Sequence, residues 1–252
     1  MPRPVTLITG ASSGIGSALA RLEAPSSRVV VMARRQDRLE ALCRQLHSQG
    51  HEASFVCGDV TDSAACLQAF DYTLATYGRL DRLIINAGIA DAVFAQDFSL
   101  TRFEEILRTN FYGLLYFLEP VLPYFLKQKQ GHLVVISSLA AFVSVPGSSA
   151  YHCSKAAMLG LMHSLRRECR PLGIDCSIIC PGFIQTAITD RNDFPMPCLL
   201  PLASAASTIH TAIQHKKAFL AFPRRLYWLI LLCRLLPLSW QDRLLQRPYK
   251  KK

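Results

Sequence analysis

Along the chain, short and almost continuously apolar runs alternate with longer stretches in which apolar residues recur every three or four positions. The apolar runs cover residues 5–9, 28–33, 53–57, 82–86, 132–138, 175–180 and 218–222. Strands that are apolar at nearly every position, not every second one, are buried on both faces, as in a parallel sheet. Between them the spacing predicts helices over 15–24, 38–49, 63–77, 100–127, 150–170 and 202–214. Strand followed by helix from end to end reads as repeated βαβ units. The expected fold is therefore α/β: a doubly wound, Rossmann-like parallel sheet between two helical layers.

No repeat, low-complexity block or linker interrupts this pattern, so residues 1–223 read as one domain that includes a substrate loop at 183–200. The helix ahead of Pro25 looks clipped, because proline cannot continue a helix interior and Ser26 and Ser27 lead straight into the next strand. After Pro223 the alternation stops. The tail, 224–252, sets Trp, Tyr and Leu among basic residues, which suits an amphipathic helix, broken at Pro237, lying on a membrane surface or on a partner subunit.

Composition narrows the class further. A chain of 252 residues suits one α/β domain, and 50% hydrophobic against 18% charged residues excludes a mainly disordered chain. The formal net charge is +10, but it is not spread evenly. Lys216, Lys217, Arg224, Arg225, Arg234, Arg243, Arg247, Lys250, Lys251 and Lys252 lie beyond residue 215, where Asp242 is the sole acidic residue. The body is close to neutral, so the basic balance is no argument for a nucleic-acid partner, and none is expected. No run of 18 uncharged apolar residues occurs, which argues against a membrane-spanning helix, and the early Gly-rich turn argues against a secretion signal. The nine cysteines form no CxxC pair and share no metal-type spacing with the seven histidines. They are expected to be structural thiols in a reducing cytosol, and no metal site is expected.

Three motifs carry candidate chemistry. The first strand ends in Thr9-Gly10-Ala11-Ser12-Ser13-Gly14-Ile15-Gly16 and opens a helix. Such glycines let the backbone turn tightly and approach a pyrophosphate seated at a positive helix N-terminus. The second strand ends Met32-Ala33-Arg34-Arg35. An acidic residue there would bind both ribose hydroxyls of NAD, whereas arginine accommodates a 2′-phosphate, so NADPH/NADP+ is the expected cofactor, with a solvated basic helix start as the bland alternative. Third, Tyr151 and Lys155 stand four residues apart on one helix face, where a cation beside a phenol would favour its ionised form and allow proton exchange.

Taken together, Thr9–Gly16, Asp59-Val60, Asn86-Ala87-Gly88, Asn110, Ser137-Ser138, Tyr151-xxx-Lys155 and Pro181-Gly182 stand in the order and spacing of the short-chain dehydrogenase/reductase family, which the chain resembles over residues 4–222. The resemblance implies that Tyr151 is the general acid for ketone reduction, and the base for the reverse oxidation. It implies that Lys155 lowers the tyrosine pKa and holds the nicotinamide ribose, that Ser138 binds the substrate oxygen, and that Asn110 supports a water-linked proton relay. Asp59 and Val60 would face the adenine, Asn86 would lie beside the adenine ribose, and Pro181, Gly182 and Thr186 would cradle the nicotinamide end. Gly10, Ser12, Ser13, Gly14, Ile15, Gly16, Arg34, Arg35, Ala87 and Gly88 complete the expected cofactor set.

Plain structural readings stand beside these. Asn86 and Asn110 also suit turns and caps, Ser137 offers the same hydroxyl as Ser138, and Asp59 suits a helix start like Asp62. His152 and His163 read as surface or packing residues, and the aromatic stretch 111–125 as core and subunit interface. The sequence departs from the family pattern in the clipped first helix and the long basic tail.

The expectation is an NADP(H)-dependent oxidoreductase that interconverts a carbonyl and an alcohol on a small lipophilic substrate. It would be cytoplasmic, a homodimer or homotetramer, with its tail at a membrane surface or a subunit contact. The alternatives are a nucleotide-binding sensor of the same fold without turnover, an NAD-preferring alcohol dehydrogenase, and a protein whose basic tail is its functional part.

Overall fold

The structure, a computed structural model, describes residues 3–187, 189 and 195–246. Phe194 of the substrate loop and the tail cations Arg247, Lys250, Lys251 and Lys252 lie outside the described residues. The strands are β1 (Val5–Thr9), β2 (Arg28–Ala33), β3 (Ala53–Cys57), β4 (Arg82–Ile85), β5 (Gly131–Ile136), β6 (Ile174–Pro181) and β7 (Phe219–Phe222). They form one parallel sheet in the order β3-β2-β1-β4-β5-β6-β7. The strand order reverses between β1 and β4, where Ile8 pairs with Val31 on one side and Ile84 on the other. Such a switch point leaves a crevice beyond the carboxyl ends of the strands, where α/β sheets bind ligands.

The helices are α1 (Gly14–Glu23), α2 (Gln36–Ser48), α3 (Ser63–Tyr77), α4 (Leu100–Leu107), α5 (Gly113–Gln128), α6 (Ser149–Cys169), α7 (Leu202–Gln214), α8 (Arg224–Arg234) and α9 (Leu238–Leu245). Successive strand residues point to opposite faces, so each strand feeds two cores. Leu7, Val30 and Leu83 pack with Phe70 of α3, Phe117 of α5 and Met158 of α6. Ile8, Val31 and Ile84 pack with Leu19 of α1, Leu42 of α2 and Ile209 of α7. This is why the strands are apolar at nearly every position.

Two details differ from the sequence reading. β4 stops at Ile85 and β5 at Ile136, so Asn86, Ser137 and Ser138 lie beyond the strand ends, in the crevice. The helix expected over 100–127 is not continuous: α4 and α5 are joined by a π-helical turn, Arg108–Tyr112. The wider turn carries Asn110, fully buried, and such insertions are frequent at functional sites. The tail forms α8 and α9 on either side of Pro237, and α8 packs on the body through Leu226, Tyr227 and Ile230. The clipped end of α1 is as expected: Ser26 and Ser27 both donate to the Glu23 carbonyl.

Candidate active site

The turn after β1 is built by conformation and close approach. Gly10 and Gly14 have φ of +67° and +56°, a region that side chains rarely tolerate. A Cβ on Gly16 would stand 2.5 Å from Asn86 Nδ2 and 2.6 Å from the Gly10 carbonyl oxygen, so only glycine lets α1 start this close to β4. α1 opens without a side-chain cap and with no acidic residue in its first turn. Its free N–H groups and positive end therefore suit an anion, which is the fit expected of a dinucleotide's phosphates. Ile15 is partly buried against the second core and holds the helix start in place.

Across this turn, Arg35 donates from Nη2 to both Ser12 Oγ and Ser13 Oγ at 2.8 Å. Arg34 instead faces Asp59, 3.4 Å away in an exposed pair of the kind that contributes little to stability. Asp59 also accepts from the Thr61 amide, as a turn residue would. Val60 is buried against Gly113, where an added Cβ would meet it at 3.1 Å. Its side chain joins the first core.

Asn86 braces the turn. Its amide donates to the carbonyls of Thr9 and Gly10 at 3.0 and 3.3 Å, and Thr9 Oγ1 accepts from the Asn86 and Ala87 backbone amides. The Asn86 N–H groups are thus committed to the backbone of the turn. Gly88 ends this segment. A Cβ there would stand 3.2 Å from Asn110 Oδ1 and 3.5 Å from Lys155 Nζ, so the β4 loop, the π turn and α6 meet at this point.

α6 supplies the titratable pair. Lys155 is buried and donates to the Ile136 carbonyl at 3.0 Å, with its ammonium 5.7 Å from the centre of the Tyr151 ring. Burial pushes the lysine down to about 8 and also raises the Tyr151 phenol, while a hydrogen bond with Ser138 works against that rise. Burial is the largest influence on the phenol, and Ser138 is the neighbour that lowers it. Ser138 Oγ also accepts from the Ala140 amide and donates to the Pro181 carbonyl at 3.4 Å. Ser137 is buried and donates to the Lys155 carbonyl, so of the two adjacent serines it is Ser138 that reaches the phenol.

The β6 end closes the crevice. The Gly182 amide donates to the Phe222 carbonyl, and Thr186 lies 3.6 Å from where a Cβ on Gly14 would be. The base of the substrate loop is fastened by paired backbone bonds between Gln185 and Leu200 and between Leu200 and Phe183. His152 bonds the Ala140 carbonyl and His163 stacks on Phe219, both packing positions as expected.

With this arrangement in view, the comparisons with known proteins are decisive. The family profile of the short chain dehydrogenases matches residues 4–194. The chain belongs to the short-chain dehydrogenases. It is similar to an uncharacterized oxidoreductase of Myxococcus xanthus (strain DK1622), 37% identical over 221 residues that span 87% of each chain. It is also similar to 11-beta-hydroxysteroid dehydrogenase-like 4A of Arabidopsis thaliana, 35% identical over 244 residues, 91% of this chain and 80% of that one. Among solved structures, a short chain dehydrogenase/reductase from Burkholderia phymatum in complex with NAD shares the fold, with a TM-score of 0.85, 24% identity and coverage of 99% and 98%.

This short-chain dehydrogenase is an oxidoreductase acting on CH–OH or C=O groups of small molecules, and its fold binds a nicotinamide cofactor. Two residues have roles at the site that the sequence reading did not assign. Ser154, fully buried between Tyr151 and Lys155, donates to the Tyr151 carbonyl and accepts from Asn110. Thr9 ties β1 to β4 through one hydroxyl. The signal for both was a small hydroxyl residue within an otherwise apolar buried face, which calls for a partner.

Proposed function

We propose that this short-chain dehydrogenase is an NADP(H)-preferring carbonyl reductase for a lipophilic substrate, with Tyr151 as its proton donor. The observation that carries the reading is the meeting of Tyr151 and Lys155 on one face of α6, the Lys155 ammonium 5.7 Å from the phenol ring, with Ser138 just beyond the end of β5 and a phenol whose pKa burial raises. A phenol held in its neutral form at neutral pH is in the state that a ketone's oxygen needs as it gains charge. Ser138 then steadies that oxygen with a second hydroxyl. When bound, the dinucleotide supplies the hydride for reduction, or accepts it for oxidation. Lys155, its ammonium held at the crevice by Ile136, would hold the nicotinamide ribose, and the π turn around Asn110 would support the proton's return path.

The preference for a 2′-phosphate rests on Ala33 where a carboxylate would bind ribose, and on Arg35 spanning Ser12 and Ser13 at the turn. A guanidinium fork suits a phosphate by charge and shape. Leu139, Phe142, Leu226 and Tyr227 make an apolar wall beside Ser138 and Gly182, which favours an apolar substrate. With 11-beta-hydroxysteroid dehydrogenase-like 4A as a relative, steroid-sized ketones are the first class to test. Leu67 and Tyr72 of α3, Tyr112 of the π turn and Leu126 of α5 are exposed and suit a homodimer or homotetramer contact. Nine free thiols suit a reducing cytosol, with the tail giving a peripheral surface contact.

The test is a panel of lipophilic ketones, followed by loss of NADPH absorbance, with Tyr151→Phe alongside. Turnover in the wild type and none in the variant is expected. Equal turnover in both would overturn the role of Tyr151.

A further inference from the structure

We propose that α8 and α9 together form a docking surface for an anionic lipid bilayer. This deepens the peripheral placement above and rests on the catalytic reading only for its last consequence.

α8 has two apolar faces with different fates. Its inner face lies on the body: Leu226 packs by Gly182, and the Tyr227 ring meets Phe142 edge-on at 5.4 Å. Its outer face places Arg225, Trp228, Leu229 and Leu232 at helical positions i, i+3, i+4 and i+7, which fall on one stripe. Among the described residues nothing covers that stripe: Leu229 is 64% exposed. Beyond Pro237, Trp240 and Leu244 form a second exposed apolar pair at i and i+4 on α9, and Leu235 and Leu238, on either side of Pro237, are also exposed, Leu235 at 81%. Gln241 donates to the Leu236 carbonyl at 2.8 Å, which ties α9 back to the turn that follows α8.

Charge identifies the occupant. Arg224, Arg225, Arg234 and Arg243 are exposed around the stripe, and the 216–252 segment has Asp242 as its one carboxylate. A second copy of the chain would bring the same cations against these and be repelled, whereas an anionic leaflet attracts them. A nucleic acid would neutralise the arginines but leave the leucines and tryptophans in water. Eleven residues of α8 are too few to span a bilayer, and no helix among the described residues is long and apolar enough to cross one. An apolar stripe with tryptophans, edged by arginine, therefore lies in the interfacial plane. Since the inner face of α8 backs onto Gly182 and the Ser138 turn, docking brings the candidate site to the lipid surface, where an apolar ketone partitions.

The test is sedimentation of the full chain with vesicles of phosphatidylcholine alone and of phosphatidylcholine mixed with phosphatidylserine. Two variants accompany it, the triple Trp228→Ser, Leu229→Ser, Leu232→Ser and the double Arg224→Gln, Arg225→Gln. NADPH binding serves as the check of folding. The wild type is expected to sediment with the mixed vesicles at low salt, the triple variant to stay in solution, and the double variant to bind about tenfold more weakly, since each cation near such a surface contributes severalfold. Wild type that stays in solution, binds both vesicle types equally, or is matched by the triple variant overturns the proposal. So does light scattering in which the triple variant splits an oligomer while vesicle binding is unchanged. Sedimentation needs no turnover, so a failed catalytic reading would leave this result standing, and the reverse holds too.

Discussion

The buried side chains of Asn110 and Ser154 are joined by a 2.9 Å hydrogen bond, and the Ser154 hydroxyl donates to the Tyr151 carbonyl at 2.8 Å. Asn110 also grips Ile89 from both ends of its amide. The π turn, the β4 loop and α6 are thus locked by one asparagine, with Ser154 as the link to the tyrosine's own turn of helix. Ser154→Ala leaves a buried N–H without that partner, which costs about 1–3 kcal/mol. Urea unfolding is expected to show that loss, and kcat is expected to fall with NADPH affinity retained. A variant as stable and as active as the wild type would show that the link is dispensable.

Proton transfer should separate cleanly from nucleotide binding. Tyr151→Phe keeps the ring and its packing and removes the proton, so turnover should fall by about 10²–10⁴ while NADPH still binds. Ser138→Ala removes the phenol's hydrogen-bond partner. It should lower kcat and raise the phenol's pKa further, which a pH–rate profile would register as an upward shift of the basic limb.

Two glycines offer opposite outcomes from the same substitution. Gly16→Ala puts a methyl against the Gly10 carbonyl and the Asn86 amide, so the turn must shift. Overpacking of this kind costs about 1–3 kcal/mol, and nucleotide binding should weaken with it. Gly160, within α6, has open space at the same position, and Gly160→Ala should stabilise by about 0.5–1 kcal/mol. Thermal unfolding of the pair checks both signs.

Acid sensitivity should trace to His132, at the opposite end of the sheet from the crevice. Arg82 donates to its Nδ1 at 3.2 Å, which leaves Nε2 to donate to Ser177 Oγ at 2.8 Å. Burial, with Arg82 and Lys216 nearby, holds its pKa at about 3, well below the ordinary 6.5. Between those values the unfolded chain binds a proton that the folded one refuses, so stability is full above about pH 6.5 and is lost as pH falls towards 3. At about 1.4 kcal/mol per unit, the loss is on the order of 5 kcal/mol. His132→Gln should flatten the stability profile across that window.

Much of this was legible in the residues because the physics was local. The seven apolar runs gave the strands since a doubly covered parallel sheet demands apolar residues at nearly every position, and the glycines at 10, 14 and 16 announced a turn that a Cβ would block. What was not legible depended on partners distant in sequence. The π turn at Asn110 has no periodic signature, because it is set by Ile89 and Ser154, 21 and 44 residues away. The net rise of the Tyr151 phenol comes from three-dimensional burial, which the spacing of Tyr151 and Lys155 does not carry. Likewise, two adjacent arginines gave no hint that Arg35 would span the turn while Arg34 turned to Asp59.

That division of labour between the arginines gives the most direct test of the central claim, an NADP(H)-preferring reductase. The measurement is a titration of NADPH and NADH into the wild type, Arg35→Ala and Arg34→Ala. NADPH should bind the wild type more tightly than NADH, and Arg35→Ala should weaken NADPH alone by about tenfold to a hundredfold, the contribution of a charge-assisted hydrogen bond. Arg34→Ala should have the smaller effect. Equal or tighter binding of NADH by the wild type would contradict the account.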